Sequence, residues 1–328
     1  MSNCKQFIKC GKWLFAVCFG LIIGLAQTAI AKSKIVVAQD GSGDYKTVQE
    51  ALNAVPDNSA TETQILVKPG IYKERVVLEA NKNNVTMIGE DALHTVITYD
   101  NYALRLDSAG KQLGTSRTAS FYVYGNNFTA KNITFENSAG PKGQALAIYV
   151  KGDKAGFYNC RFLGFQDTIY THGLGSRQYY KNCYIDGAVD FIFGAATALF
   201  EDCHIFCKKG GLYITAASTL DTTRYGYVFM HCKIDGDAQE NTYALGRPWR
   251  PNAKVAYLYC NLGNVISGDG WDNWRNAENE KTAYYAEYKN TGPGYKPAER
   301  VKWSHQLTDD EAKQYKKDLI LGDWKPNF

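Results

Sequence analysis

Two aspartates are distinguished by their flanks and by their spacing. Asp167, in Gly164-Phe-Gln-Asp-Thr-Ile-Tyr170, and Asp190, in Gly187-Ala-Val-Asp-Phe-Ile-Phe-Gly194, each lie seven residues after a cysteine, Cys160 and Cys183 respectively. Both sit among apolar and aromatic neighbours: Phe165, Ile169 and Tyr170 around one, Val189, Phe191 and Phe193 around the other. A carboxylate in such surroundings needs a partner or a function. If the two occupy equivalent places in adjacent repeats, they stand about one strand spacing apart, ~4.8 Å. Two negative charges that close do not ionise independently, so one pKa rises and the pair offers one acid and one base to the same point. Arg247, in Gly246-Arg-Pro-Trp-Arg250, is the candidate partner for one of them. Gln166 adjoins Asp167, and Gln144, in Gly143-Gln-Ala-Leu-Ala-Ile148, comes about one repeat earlier. A carboxamide N–H aimed at the pair can stabilise a developing oxyanion.

The elements that must position these groups show in a recurring phrase. Phe157-Tyr-Asn-Cys160-Arg-Phe162, Tyr180-Lys-Asn-Cys183-Tyr-Ile185, Phe200-Glu-Asp-Cys203-His-Ile205, Phe229-Met-His-Cys232-Lys-Ile234 and Tyr257-Leu-Tyr-Cys260-Asn-Leu262 each place an aromatic three before the cysteine and an apolar residue two after it. Asn132-Ile133-Thr134-Phe135 and Asn84-Val85-Thr86-Met87 carry the same pattern, with Ile133 and Val85 in the cysteine slot. From Ile133 onward the slots are 27, 23, 20, 29 and 28 residues apart. Short strands at this period, with no long helical pattern between them, predict a solenoid whose coils contribute equivalent strands to continuous parallel sheets. The fold class is all-β: a right-handed parallel β-helix with short capping helices. Small, polarizable thiols stack on one another in its narrow core, so Cys160, Cys183, Cys203, Cys232 and Cys260 are expected as a ladder of free thiols. Leucine-rich repeats would need regular leucines, and a propeller blade needs about forty residues. Thr47 to Ala54 and Thr308 to about Leu319 read as the capping helices, each opening on a capping box.

The remainder of the chain narrows the setting. Lys5, Lys9 and Lys12 precede an apolar stretch from Trp13 to Leu25 and then Ala29-Ile30-Ala31, the order of a secretory signal. Residues 1–31 are therefore expected to be cleaved after Ala31, leaving 32–328 as one exported domain, periplasmic or extracellular, without a membrane anchor. Thirty glycines against eight prolines, and 23 tyrosines, suit turn-rich β structure. The net charge of +4 owes three units to the leader lysines, so the rest carries 4 − 3 = +1, and no nucleic-acid surface is indicated. Cys203-His204 with Cys207 is the nearest approach to a metal-ligand grouping, and its spacing is not that of a zinc site, so no metal and no cofactor is expected.

With these residues in view, the sequence resembles the pectin methylesterase (pectinesterase) family of carbohydrate esterases. Gly143-Gln-Ala-Leu-Ala147, Gly164-Phe-Gln-Asp-Thr-Ile-Tyr170, Asp190-Phe-Ile-Phe-Gly194 and Gly246-Arg-Pro-Trp249 are similar to that family's four site motifs, in order. Val36 to Gly43, Val67 to Tyr72, Gly270-Trp271 and Asn290 to Gly294 match framework segments, so the likeness covers nearly the whole mature chain. The resemblance implies Asp190 as nucleophile, Asp167 as general acid and then base, Gln144 and Gln166 as the oxyanion hole, and Arg247 as the group that holds Asp190 ionised. It implies Tyr170, Phe193, Trp249 and Trp271 as the lining of a sugar-binding cleft. The reaction would be hydrolysis of the C6 methyl esters of homogalacturonan through an aspartyl acyl-enzyme, by a monomer whose partner is methyl-esterified pectin. Ala195-Ala196 stands where plant members have Asn-Ala or Ser-Ala, and Thr171 to Arg177 is longer than the plant form. Both departures bear on the preferred methylation pattern.

Other readings of the residues remain open at this level. A serine esterase lacks its Gly-x-Ser-x-Gly elbow here. A polygalacturonase would also use two acids, a pectate lyase would use calcium and a basic residue, and neither requires the paired glutamines. A non-catalytic polysaccharide-binding solenoid needs only stacked aromatics, and an acyl thioesterase would ignore pectin.

Overall fold

The computed structural model describes residues 34–326, and the leader assigned to 1–31 lies outside them. Strands form three sheets of eleven, seven and eight members in which the paired strands run parallel. Successive coils repeat one route: Ala155–Tyr158, Arg161–Leu163 and Ile169–Thr171, then Arg177–Lys181, Tyr184–Gly187 and Val189–Gly194, then Thr197–Glu201, His204–Cys207 and Tyr213–Ala217. Each strand pairs with its counterpart one coil away. This is the right-handed parallel β-helix, the hand that twisted strands favour for a parallel crossover.

The repeated phrase does its work at the corner between the eleven- and eight-stranded sheets. Its aromatics, Phe157, Tyr180, Phe200, Phe229 and Tyr257, are buried and stack face to face with centroids 4.8, 4.6, 4.5 and 4.3 Å apart and planes within 13°. The residue before each cysteine, and before Ile133 in the same slot, makes the bend in the left-handed region: Asn132, Asn159, Asn182, Asp202, His231 and Tyr259 all have φ near +55°. Asparagine and aspartate tolerate that conformation best, which accounts for the Asn-Cys pairs. The cysteines follow in register as buried free thiols. Cys183 donates to the Phe157 carbonyl at 3.5 Å, Cys203 to Tyr180 at 3.4 Å and Cys232 to Phe200 at 3.4 Å, so each thiol bonds one coil back. Val85 does not belong to this ladder. It opens a strand paired with Phe128, one corner earlier, and the matching left-handed residues there are Asn84 and Asn127.

The helices differ in part from expectation. Val48–Asn53 forms with its Thr47–Glu50 capping box and buries Val48, Ala51 and Leu52 against the first coil. The C-terminal segment makes two short helices, Asp309–Ala312, with the Thr308–Glu311 box, and Lys317–Leu321. The break falls where the Gln314 carbonyl accepts from the Tyr225 hydroxyl and Tyr315 packs on the Tyr225 ring. Ile320 and Leu321 pack with Tyr179, Leu199 and Val228 on the outer face of the eleven-stranded sheet, so this segment covers that face instead of closing the end of the coil.

Phe200→Ala removes the middle ring of the stack and is expected to cost about 3–5 kcal/mol, read by denaturant unfolding. Alkylation of unfolded, unreduced protein should modify Cys160, Cys183, Cys203, Cys207, Cys232 and Cys260, whereas two or more disulfides among them would contradict the ladder.

Candidate active site

The seven-stranded sheet carries the two aspartates where its strands begin. Gln166 bridges to Val189 and Ile169 pairs with Ile192, so the register is constant between them and Asp167 lies opposite Asp190 on the next coil. Both residues are left-handed, with φ of 67° and 49°, a conformation that aspartate accepts. One coil further on the register slips between Val189 and Ile192, a bulge at Asp190 of the kind that re-aims a side chain. Gln144 bridges to Gln166 from the preceding coil, and Ala145 N–H donates to the Gln166 carbonyl at 3.1 Å. The corner before Asp167 is pinned from below. Asp186 accepts from Gly164 N–H at 2.9 Å, and Lys208 Nζ reaches Asp186 at 2.8 Å and the Gly164 carbonyl at 2.7 Å.

Arg247 arrives two coils beyond Asp190, on Ala244–Pro248. Its Nε donates to Asp190 Oδ1 at 2.9 Å and its Nη2 to Oδ2 at 2.7 Å, a bidentate pair. Gln144, Gln166, Asp167, Tyr170, Asp190, Phe193, Arg247 and Trp249 line one cavity of about 410 Å³. Asp190 is 6% and Asp167 8% exposed. Burial pushes the Asp190 carboxyl above its ordinary value, and the Arg247 guanidinium opposes that rise. Among the described residues, no cation is hydrogen-bonded to Asp167 in this way. Burial first, and then the charge of Asp190, push it well above the ordinary range. Asp190 therefore ionises first, and Asp167 keeps its proton beside it.

Comparison with known proteins gives the family. The Pectinesterase family model matches residues 34–323. The chain is 48% identical over 282 residues to Pectinesterase 31 of Arabidopsis thaliana, covering 84% of this chain and 88% of that one. The chain belongs to the pectinesterase family. Among solved structures, the pectin methylesterase from carrot superposes with a TM-score of 0.81 at 35% identity, covering 88% of this chain and 92% of that one. A pectin methylesterase in complex with a hexasaccharide gives 0.78 at 29% identity, covering 90% and 98%.

In this pectinesterase chain the cleft wall differs from expectation at one tryptophan. Tyr170 and Phe193 are register partners with stacked rings 4.2 Å apart, and Trp249 meets both edge-on at 6.2 and 5.8 Å. Trp271, expected beside them, is 2% exposed and packs in the interior on Tyr285 at 4.6 Å and Tyr257 at 5.9 Å. Its backbone bridges to Gly246, where a Cβ would meet the buried Thr215 hydroxyl at 2.0 Å, and sharing that register carries the indole inward as well. Trp274, three residues on and left-handed at φ 61°, lines the cleft instead. Thr115 and Ser116 line the cleft from the short 3-10 helix Thr115–Arg117, far away in sequence. No motif marked these three. The repeated tryptophan at Trp271 and Trp274 was a legible signal, but which of the two faces out depends on the turn. A second cavity of about 590 Å³, sharing Tyr170 and Trp249, extends the cleft past His172, Leu220 and Arg250.

Because the folded pKa of Asp167 exceeds its unfolded value, stability from this group is fully present below the unfolded value, near pH 4, and is lost as pH rises through the folded one. Asp167→Asn removes that loss. Its melting temperature relative to the parent should therefore climb with pH, and a difference that is flat from about pH 4 to 8 would contradict the assignment.

Proposed function

We propose that the chain hydrolyses the C6 methyl esters of homogalacturonan to pectate and methanol, with Asp190 as nucleophile. The observation that carries this is the bidentate Arg247–Asp190 pair facing the buried Asp167 within a cavity shared with two glutamines. Asp190 attacks the ester carbonyl, and the carboxamides of Gln144 and Gln166 donate to the oxyanion of the tetrahedral adduct. As the adduct collapses, the C–O bond to methoxide breaks, and Asp167 gives its proton to form methanol. The anhydride that joins Asp190 to the sugar remains. Asp167, now ionised, takes a proton from water as it attacks the same carbonyl, and collapse returns the Asp190 carboxylate and a free galacturonic acid carboxyl, which gives up its proton to solvent. No serine, histidine or metal step is required in this sequence of events.

Pectin as the substrate class is supported by the family and by the hexasaccharide complex of a related pectin methylesterase. Tyr170, Phe193 and Trp249 offer faces to the C–H surfaces of pyranose rings, while hydroxyls at the ring edges stay wet. We also propose export after cleavage behind Ala31, which the charge order of the leader supports; among the described residues no helix is long and apolar enough to cross a membrane.

Esterified pectin should yield methanol and acid with no new reducing ends and no unsaturated product, an outcome that neither a glycosidase nor a lyase gives. Asp190→Asn is expected to retain the fold and lose methanol release, because an amide does not attack the ester. Near-parental release by that variant would move the nucleophile elsewhere. Asp167→Asn should lose about 10²–10⁴-fold. The parental rate should fall at acid pH as Asp190 takes up a proton, and at higher pH as Asp167 loses its own.

A further inference from the structure

Arg247 is held by more than the carboxylate it pairs with. Its guanidinium carbon lies 3.7 Å from the ring centroid of Tyr213 and 3.9 Å from that of Trp274, so aromatic faces from two separate elements contact it. Tyr213 opens the strand Tyr213–Ala217, between the coils of Asp190 and Arg247, and is the register partner of Val189 beside Asp190. Trp274 comes from the turn after Trp271. There, Trp274 and Arg275 are consecutive left-handed residues, at 61° and 56°, a conformation that costs a bulky side chain energy and persists only where its surroundings impose it. Those surroundings are visible. Asp272 N–H donates to the Gly246 carbonyl at 3.2 Å, and Trp274 N–H donates to Asp272 Oδ1 at 2.7 Å. Arg300, buried on Glu287, donates to the Ser267 and Gly268 carbonyls at 2.9 Å each, tying the start of the same turn to the last coil.

We infer that Tyr213 and Trp274 form an aromatic clamp that positions Arg247 so that both of its nitrogens meet Asp190, making them positioning residues for the esterase reaction. The inference rests on Asp190 being the nucleophile. An arginine side chain otherwise has many rotamers, and a guanidinium stacked on aromatic faces keeps its remaining edge free for one planar partner. Tyr213 lines a cavity of about 270 Å³ with Asp272 and Arg275 that shares Arg247 and Trp274 with the reaction cavity, and Tyr213 is not among the residues lining the reaction cavity itself. Trp274 lines both cavities.

The charged and titratable groups facing Asp190 are Asp167 from the preceding coil, Arg247 from two coils on and Asp272 from the flanking turn, with the phenols of Tyr213, Tyr170 and Tyr285 around them. Of these, Arg247 is the one that favours the ionised carboxylate. An arginine that wanders holds Asp190 ionised less well, so loss of the clamp moves the acid limb of the kcat profile to higher pH.

The test is methanol release from pectin across pH by Tyr213→Leu, Tyr213→Phe and Trp274→Leu, each with a melting curve. Tyr213→Leu should raise the acid limb by about 0.5–1 pH unit and lower kcat on that limb about 3–10-fold, the size one cation–π contact allows, with KM within about twofold of the parent. Tyr213→Phe, which keeps the ring face, should restore the parental limb. Trp274→Leu should move the limb in the same direction and raise KM as well. An unmoved limb in a cooperatively melting Tyr213→Leu protein overturns the clamp, as does a Trp274→Leu protein in which KM alone changes. Should Tyr213→Leu not fold, the limb of Trp274→Leu decides from the opposite face. Asp190→Asn run alongside separates the two levels: if it retains activity, the nucleophile assignment fails, and if it is inactive while the limbs stay put, only the clamp does.

Discussion

Everything in this molecule depends on parallel strands held in constant register from coil to coil. A β-ladder fixes its neighbour at about 4.8 Å and on the same face, so any residue type repeated at the coil period becomes a stack. Along the interior that constraint produces five aromatic rings with centroids under 5 Å apart and a file of thiols beside them. On the outer face of the seven-stranded sheet it brings Tyr170 onto Phe193 and Asp167 opposite Asp190. Core and reaction site are two consequences of one spacing.

The same spacing creates an electrostatic problem that the chain resolves asymmetrically. Two carboxyls one strand apart and nearly out of solvent do not both carry charge. The arginine that breaks the tie comes from two coils away and reaches only one of them in bidentate geometry. Asymmetry therefore arises from reach and not from residue type, since both acids are aspartates at equivalent positions. The bulge at Asp190 adds to it, because the ladder is regular on the side of Asp167 and slips on the side of Tyr213.

Holding such a site against the cost of burial requires anchorage outside it. Asp186 and Lys208 fasten the corner that carries Gln166 and Asp167, and Arg300 on Glu287 fastens the turn that carries Asp272 and Trp274. Both anchors use charged groups to satisfy backbone carbonyls or N–H groups in places where the coil leaves its sheets. The repetitive part of the solenoid bends at single left-handed residues, asparagine at several of them, whereas the non-repetitive turns around the cleft are held by ion pairs.

How much of this could be read from the chain follows from where each residue sits relative to the repeat. The Cys-based phrase stated the coil period outright, and counting seven residues from two cysteines was enough to pair Asp167 with Asp190, because no insertion intervenes in either coil. Gln144, Gln166 and Arg247 were legible as candidates because each lies in a short motif opened by glycine or adjoining an aspartate. Val85 was misassigned because the bend before the eleven-stranded sheet also uses asparagine, so Asn84-Val85 mimics the Asn-Cys phrase of the next corner. Trp271 and Trp274 lie beyond the reach of periodicity. Which indole enters the core and which turns to the cleft is set by a bridge to Gly246 and two successive left-handed residues. Thr115, Ser116 and Tyr213 likewise join the site or its support only through chain packing. Sequence determined the coil, its register and the pairing of the two carboxyls, since these repeat locally. Tertiary structure alone decided the cleft walls and the aromatic faces on Arg247, since these come from turns whose course is set by distant hydrogen bonds.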